Sequence, residues 1–377
     1  MSDGADNAAI HRFHQAATIG NLMPMALRNA LLTIVTFTLY RFWARTEIRR
    51  RLWSGAVIMG DPLEYAGTGW ELFRGFLISI PVFFLPAIFV LYVAPLILDR
   101  GAATLLLLGF YAFAVPLIAL AHFLMRRYQL SRTRWRGIRF GLDGSAFAYA
   151  AASSGWTLLE IVTLGFYAPA ARMRRAKAIW ENTRFGDQPF EFAVGETQLA
   201  KGLGGPFALG WFGFLFSWII TIIVIGSMIM MFAPAMLQPG AAPGAEPLPE
   251  AVAVSVAIGL GGILVFILAY ALCWMPYNAA AMNRIAELLT LDGARFRLRA
   301  TSMGVFGVTL ASAAVFIFSL GLLAPISGLI YTRYVINRLE LIGAPRFAEI
   351  GQSKIIGPRS GEGIADAFDL DFGVGVL

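Results

Sequence analysis

Residues 33–75 and 160–202 repeat each other at a fixed offset of 127 positions without a gap, with 12 identities in 43 positions. The matched pairs include Thr36 with Thr163, Tyr40 with Tyr167, Arg45 with Arg172, Trp53 with Trp180, Pro62 with Pro189 and Glu64 with Glu191. Each copy runs from an apolar segment through a basic run into a short alternating stretch. The duplicated unit is therefore a piece of architecture rather than a catalytic motif. A shorter third copy lies near the C-terminal end, where Ser319-Leu-Gly-Leu-Leu-Ala-Pro325 aligns with Thr163-Leu-Gly-Phe-Tyr-Ala-Pro169. The chain reads as a first repeat at 21–150, a second at 151–299 and a partial third at 300–350. A flexible lead at 1–20 and a flexible, Gly-rich tail at 351–377 flank them.

Composition places these units in lipid. With 58% hydrophobic and only 14% charged residues, and a mean hydropathy of +0.68, the chain has too few polar side chains to cover a soluble surface of its size. Four stretches satisfy the roughly 20 apolar helical residues that a bilayer core requires: 75–98, 101–125, 207–237 and 251–277. They form two pairs. The loop of the first is Asp99-Arg100, and the loop of the second, 238–250, contains no Lys or Arg. Basic residues crowd the other ends of all four helices, so the positive-inside rule puts both loops outside and both termini in the cytoplasm. The first nine residues carry two acids and no basic n-region, which argues against a cleaved signal peptide.

The repeated segments are too short for ordinary spans, with 12 uncharged residues between Arg28 and Arg41 and 11 between Glu160 and Arg172. If the second copy crossed the membrane, Arg172, Arg174, Arg175 and Lys177 would lie opposite Arg126, Arg127, Arg132, Arg134 and Arg136. That inverts the charge rule. The expectation is three re-entrant or short helix pairs that enter from the cytoplasm and return to it. Gly165 and Gly321 supply backbone freedom at the break, and Pro169 and Pro325 remove a donor there. A conventional seven-helix bundle, with added spans at 22–44, 154–172 and 305–332, is the alternative.

After each basic run the pattern turns to period two with a tight turn. Ile138 to Tyr149, centred on Asp143-Gly144, and Leu289 to Leu298, centred on Asp292-Gly293, read as β-hairpins. Weaker hairpins fall near Gly60, Gly186 and Gly343. The expected fold class is an all-α polytopic membrane protein with internal repeats. It has four full transmembrane helices in two hairpins, three re-entrant or short membrane helices, and small cytoplasmic β-hairpins. Leu39-Tyr-Arg-Phe-Trp-Ala-Arg45, Arg50-Arg-Leu-Trp53 and Leu63-Glu-Tyr-Ala-Gly-Thr-Gly-Trp-Glu-Leu-Phe73 resemble the signature of the YjgN-like family of bacterial inner-membrane proteins. The likeness covers about residues 11 to 348. It implies a multi-pass protein of the bacterial inner membrane and, because that family is a domain of unknown function, no activity.

Candidate chemistry is sparse. Glu160 is an acid among apolar neighbours, suited to a proton or cation role, although Trp156 marks that end of the segment as interfacial and makes a headgroup-level carboxylate the plainer reading. His122 lies one turn from Arg126 in a long helix and could serve a proton path, or simply sit at a helix end. His11 and His14 lack a third metal ligand, and Cys273 is the lone cysteine, so neither metal nor cofactor is expected. No nucleophile with a base, Walker loop or paired-acid motif is visible, which argues against an enzyme.

The basic runs have a clearer meaning. Arg41, Arg45 and Arg49 share one helical face, and together with Arg172, Arg175 and Lys177 they are the expected contacts to anionic lipids. These charges are strung along membrane edges without a stacking platform, so nucleic acid is not an expected partner. Two functional readings follow. One is a transporter or channel-like protein with broken helices around a solute site. The other is a membrane-organising or lipid-interacting scaffold.

Overall fold

A computed structural model describes residues 9–236 and 249–352, apart from 344 and 348. The loop at 237–248, the first eight residues and the tail beyond 352, to which the sequence reading assigned an outer loop and flexible ends, lie outside the described residues.

The hairpins do not stand apart. Eleven strands form one antiparallel sheet: β1 (Ile10–Arg12), β2 (His14–Gln15), β3 (Ala56–Ile58), β4 (Asp61–Tyr65), β5 (Thr133–Trp135), β6 (Ile138–Leu142), β7 (Thr183–Phe185), β8 (Gln188–Phe192), β9 (Leu289–Leu291), β10 (Ala294–Leu298) and β11 (Leu339–Ile342). Their order is β1-β11-β10-β9-β8-β7-β6-β5-β4-β3-β2, so the two ends of the sheet are consecutive pieces of chain joined at Phe13. The Phe13 N–H donates to the Leu339 carbonyl at 3.3 Å. The sheet thus curls into a nearly closed barrel. This overturns the all-α expectation with small separate hairpins. An isolated hairpin of three- to five-residue strands leaves unpaired edge groups and is marginal in water, whereas pairing each hairpin with the next satisfies those edges.

Turn chemistry explains the register. Met59-Gly60, Arg136-Gly137 and Asp292-Gly293 all have positive φ at both positions, the two-residue turn that matches strand twist. Asp143-Gly144 is not a hairpin turn. Leu142 ends β6, and Ser145 accepts a hydrogen bond from the Ala148 N–H to begin the next helix. Residues 10–15, expected within a flexible lead, are the strands that close the sheet.

Among the described residues, ten helices longer than a single turn alternate with the hairpins. Two pairs are long: α3 (Gly69–Ile97) with α4 (Arg100–Arg132), and α7 (Gly204–Met236) with α8 (Pro249–Leu288). All four are long and apolar enough to cross a membrane, and no more than 17% of each most apolar window is buried within the protein. The chain is thus an integral membrane protein. Pro81 and Pro86 withdraw backbone donors inside α3, which widens locally into π turns at 80–84 and 89–93.

Three pairs are short: α1 (Ile19–Val35) with α2 (Arg41–Gly55), α5 (Ala146–Val162) with α6 (Ala168–Trp180), and α9 (Ser302–Phe318) with α10 (Ala324–Ile336). One turn closes all three. Thr38, Gly165 and Gly321 adopt φ of +70°, +90° and +79°, and donate to the carbonyls of Thr33, Glu160 and Phe316 at 2.7 Å in each case. Two residues earlier, the hydroxyls of Thr36, Thr163 and Ser319 accept from the N–H groups of Tyr40, Tyr167 and Leu323 at 2.9–3.0 Å. Pro169 and Pro325 sit in the first turns of α6 and α10, where a missing N–H costs nothing.

The described residues form two compact units. The larger holds the whole sheet, α1 to α6, α10 and residues 308–318 of α9. The smaller, residues 200–281 and 301–307, is held by aromatic contacts between α7 and α8, among them Phe207 with Trp274 at 5.6 Å and Phe214 with Tyr270 at 5.8 Å. A Cβ on Gly213 would stand 2.6 Å from the Cys273 sulfur, so glycine permits that approach.

Thr38 occupies the left-handed position that glycine occupies in the other two short pairs. Thr38→Gly should therefore raise stability by about 1 kcal/mol, and Gly165→Thr should lower it by at least as much. Thermal unfolding in detergent, followed by intrinsic fluorescence, checks both signs.

Candidate functional site

Two cavities in the larger unit share Leu52, Trp53 and Gln129 in their walls. The first, of about 210 Å³, fills the barrel interior. The sheet register puts Leu63 opposite Trp135, Phe140 opposite Phe185, Phe190 opposite Leu291 and Phe296 opposite Leu341, and all of these line the cavity. Ring contacts knit this belt together, with Phe140 and Phe185 centroids at 4.8 Å and Phe190 and Phe296 at 6.1 Å. Phe347 also lines the cavity, and its ring meets Trp135 edge-on at 4.7 Å. The segment carrying Phe347 is tied down by Arg346 to Asp292 and by the Gly351 N–H to Asp187 Oδ1 at 3.2 Å.

The second cavity, of about 760 Å³, lies among α1, α2, α9 and α10. Arg41, Arg45 and Arg49 all line it, with Asn29, Thr33, Ser312, Ser327 and Tyr331. The i, i+4, i+8 spacing put the three arginines on one face. The structure turns that face inward to the cavity instead of laying it on an outer surface, and Arg49 is only 6% exposed. The reason is packing: Ile48 and Leu52 on the neighbouring face of α2 join Leu22, Ala26, Ile326 and Leu329 in one apolar cluster, which draws α1 and α10 against α2. Arg172 of α6 acts across space on the Tyr331 phenol, bringing a fourth guanidinium to the same neighbourhood.

The junction between the cavities is built from hydrogen bonds. The Trp53 indole N–H donates to Thr133 Oγ1 at 2.9 Å, and that hydroxyl donates to the Gln129 carbonyl at 2.8 Å. Thr133 and Gln129 do not stand out in the sequence. A signal existed in the paired Thr133-Arg-Trp135 and Thr183-Arg-Phe185 steps, where each threonine bonds back to the preceding helix and the aromatic residue enters the barrel.

Glu160 and Arg175 come together. Arg175 donates to Glu160 Oε1 at 2.7 Å, to Thr157 Oγ1 at 2.8 Å and to Ser153 Oγ at 3.1 Å, clamping α6 to α5. Glu160 therefore has a structural ion-pair partner. His122 stacks on Tyr149 at 6.5 Å between α4 and α5. Lys177 pairs with Glu196 rather than facing either cavity, and Gly165, Pro169, Gly321 and Pro325 shape the tips of the short pairs. Among the described residues no cluster of three His, Cys, Asp or Glu is arranged to hold a metal.

A profile for a family described as bacterial protein of unknown function (DUF898) matches residues 10–367. Among curated proteins, the chain is 29% identical over 130 residues to the inner membrane protein YjgN of Salmonella typhimurium. That match covers 33% of this chain and 30% of the relative, so it spans under a third of the curated protein's length. No solved structure matches the chain.

Glu196 accepts from Lys177 at 2.9 Å and from Arg174 at 3.1 Å, which holds its carboxyl below the usual glutamate range. A depressed carboxyl stabilises the fold above its unfolded pKa of about 4.3 and loses that contribution as pH falls through the folded value. At pH 7, Glu196→Gln should lower the melting temperature by about 1–3 °C, because exposed pairs are weak. As pH falls through the folded value, the difference between variant and parent should close.

Proposed function

The chain belongs to this DUF898 family of bacterial proteins of unknown function, and from that premise we propose that it is a multi-pass inner-membrane protein of the transporter or channel-like class. Its termini are cytoplasmic. Its three short helix pairs are copies of one repeated unit that dip into the inner leaflet and return. The observation that carries the transport reading is the pair of adjoining cavities, one with three arginines along one wall at the level of the helix pairs and one apolar inside the barrel, meeting at Leu52, Trp53 and Gln129. A solute with a charged end and an apolar body fits both environments in succession.

Re-entrance is supported by the tips. Phe37 and Leu320 are each 90% exposed at the turns of the short pairs, and Leu164 and Phe166 are exposed in the third. Large apolar side chains at a bare tip are stable in hydrocarbon and costly in water. Each short pair begins and ends on strands of one sheet, so both of its ends lie on one side. The inner membrane is supported by the name of the curated relative.

The test uses the junction. Purified protein in liposomes is loaded with fluorescent amphiphiles bearing carboxylate or phosphate ends, and release or transbilayer movement is followed. Wild type should move at least one of them several-fold faster than empty liposomes, and Gln129→Trp, which fills the junction, should abolish the difference while keeping its melting temperature within a few degrees. Equal movement by wild type and variant, or none by either across the series, would count against transport and favour a scaffold.

A further inference from the structure

The larger cavity has two unlike walls. On the α2 side stand Arg41, Arg45 and Arg49, and among the described lining residues there is no carboxylate. On the other side stand Thr309 and Ser312 of α9 with the apolar Ala313, Phe316 and Ile317, followed by Leu320 and Leu322 of the turn after it. The serines between them are occupied with each other, since Ser327 Oγ donates to the Ser312 carbonyl at 2.8 Å and Ser312 Oγ to the Ser327 carbonyl at 3.2 Å. The Arg41 side chain is braced over the Phe42 and Phe76 rings at 5.1 and 5.6 Å, and its buried Nε has no hydrogen-bond partner among the described residues.

Three guanidinium groups along one wall of a partly enclosed space make the local potential positive, which favours an anion that enters. Guanidinium forks match the oxygens of phosphate and hold it by paired charge-assisted hydrogen bonds. Successive arginines rise by about 6 Å along α2, so together they offer donors over a longer reach than one carboxylate can use. The volume of about 760 Å³ leaves room beside the phosphate for an apolar body against α9.

We propose that this cavity binds an amphiphile of net negative charge whose anionic group is a phosphate, the phosphate on Arg41, Arg45 and Arg49 and the apolar part on Phe316, Ile317 and Leu320. The site deepens the transport reading by naming its solute class, yet binding is separable from movement. The ligand comes from one of two sources, a bilayer phospholipid or a soluble phosphate ester.

Native mass spectrometry of the full chain in non-ionic detergent tests it, with equal phosphatidylglycerol and phosphatidylcholine added. Wild type should retain phosphatidylglycerol at least fivefold over phosphatidylcholine. Arg45→Gln should reduce that preference to near unity, and Arg41→Gln, a site with no ion pair among the described residues, should reduce it at least threefold. Arg51→Gln, which removes the same charge from an exposed position off the cavity, should leave it unchanged. Displacement of the lipid by millimolar glycerol 3-phosphate assigns a soluble source, and resistance to it assigns the bilayer. Equal retention of the two lipids by wild type, or equal losses in Arg41→Gln and Arg51→Gln, overturns the proposal. The wild-type protein keeps the two readings apart, because a phosphatidylglycerol preference without movement in liposomes leaves the site standing and removes transport alone.

Discussion

Backbone hydrogen bonding at the edges of very short strands is the constraint on which the larger unit depends. No strand exceeds five residues, and β2 has two. Strands that short hold together only when each has a neighbour on both sides, and a flat sheet of eleven would still leave two open edges. Here the two edge strands are consecutive in the chain, and the bend at Phe13 lets residues 10–12 pair with β11 while residues 14–15 pair with β3. Closure also fixes function-bearing geometry. It gathers Phe13, Trp135, Phe140, Phe185, Phe190 and Phe296 around one interior, and it sets the first and last helix pairs side by side, so that α10 packs on α1 and α2.

The helix pairs obey a second, local constraint. A helix that must reverse within five residues needs one residue in the left-handed region and a partner for its last carbonyls. Gly165 and Gly321 made this legible in two of the short pairs, because glycine adopts that region without a Cβ clash. In the pair of α1 and α2 Thr38 hides it, and the clue lay instead in the hydroxyl two residues earlier, Thr36, which matches Thr163 and Ser319 in both position and bonding. Asp143-Gly144 misled for the opposite reason. It carries a strong turn signature, but Ser145 uses the same neighbourhood to cap α5, and the hairpin turns one step earlier at Arg136-Gly137.

The four long apolar helices were legible because composition and length alone decide them. Barrel closure was not, since it joins residues more than 300 positions apart through strands too short to show alternation. The arginine face of α2 lies between these cases. Its spacing was visible in the sequence, but the side to which it points is decided by Ile326 and Leu329 of a distant helix packing on Ile48 and Leu52. A basic face expected to lie on lipid thus lines a cavity.

The closed ring is best tested by bridging both sides of its seam in one molecule. In a Cys273→Ser background, cysteines at Ile10 with Ile342 and at His14 with Val57 occupy directly opposed positions, within the reach of a disulfide. Closure predicts that mild oxidation forms both bridges in the same chain, read as two disulfide-linked peptide pairs by mass spectrometry of the folded protein. Formation of only one, or of neither, would mean that the sheet is open at residues 10–15.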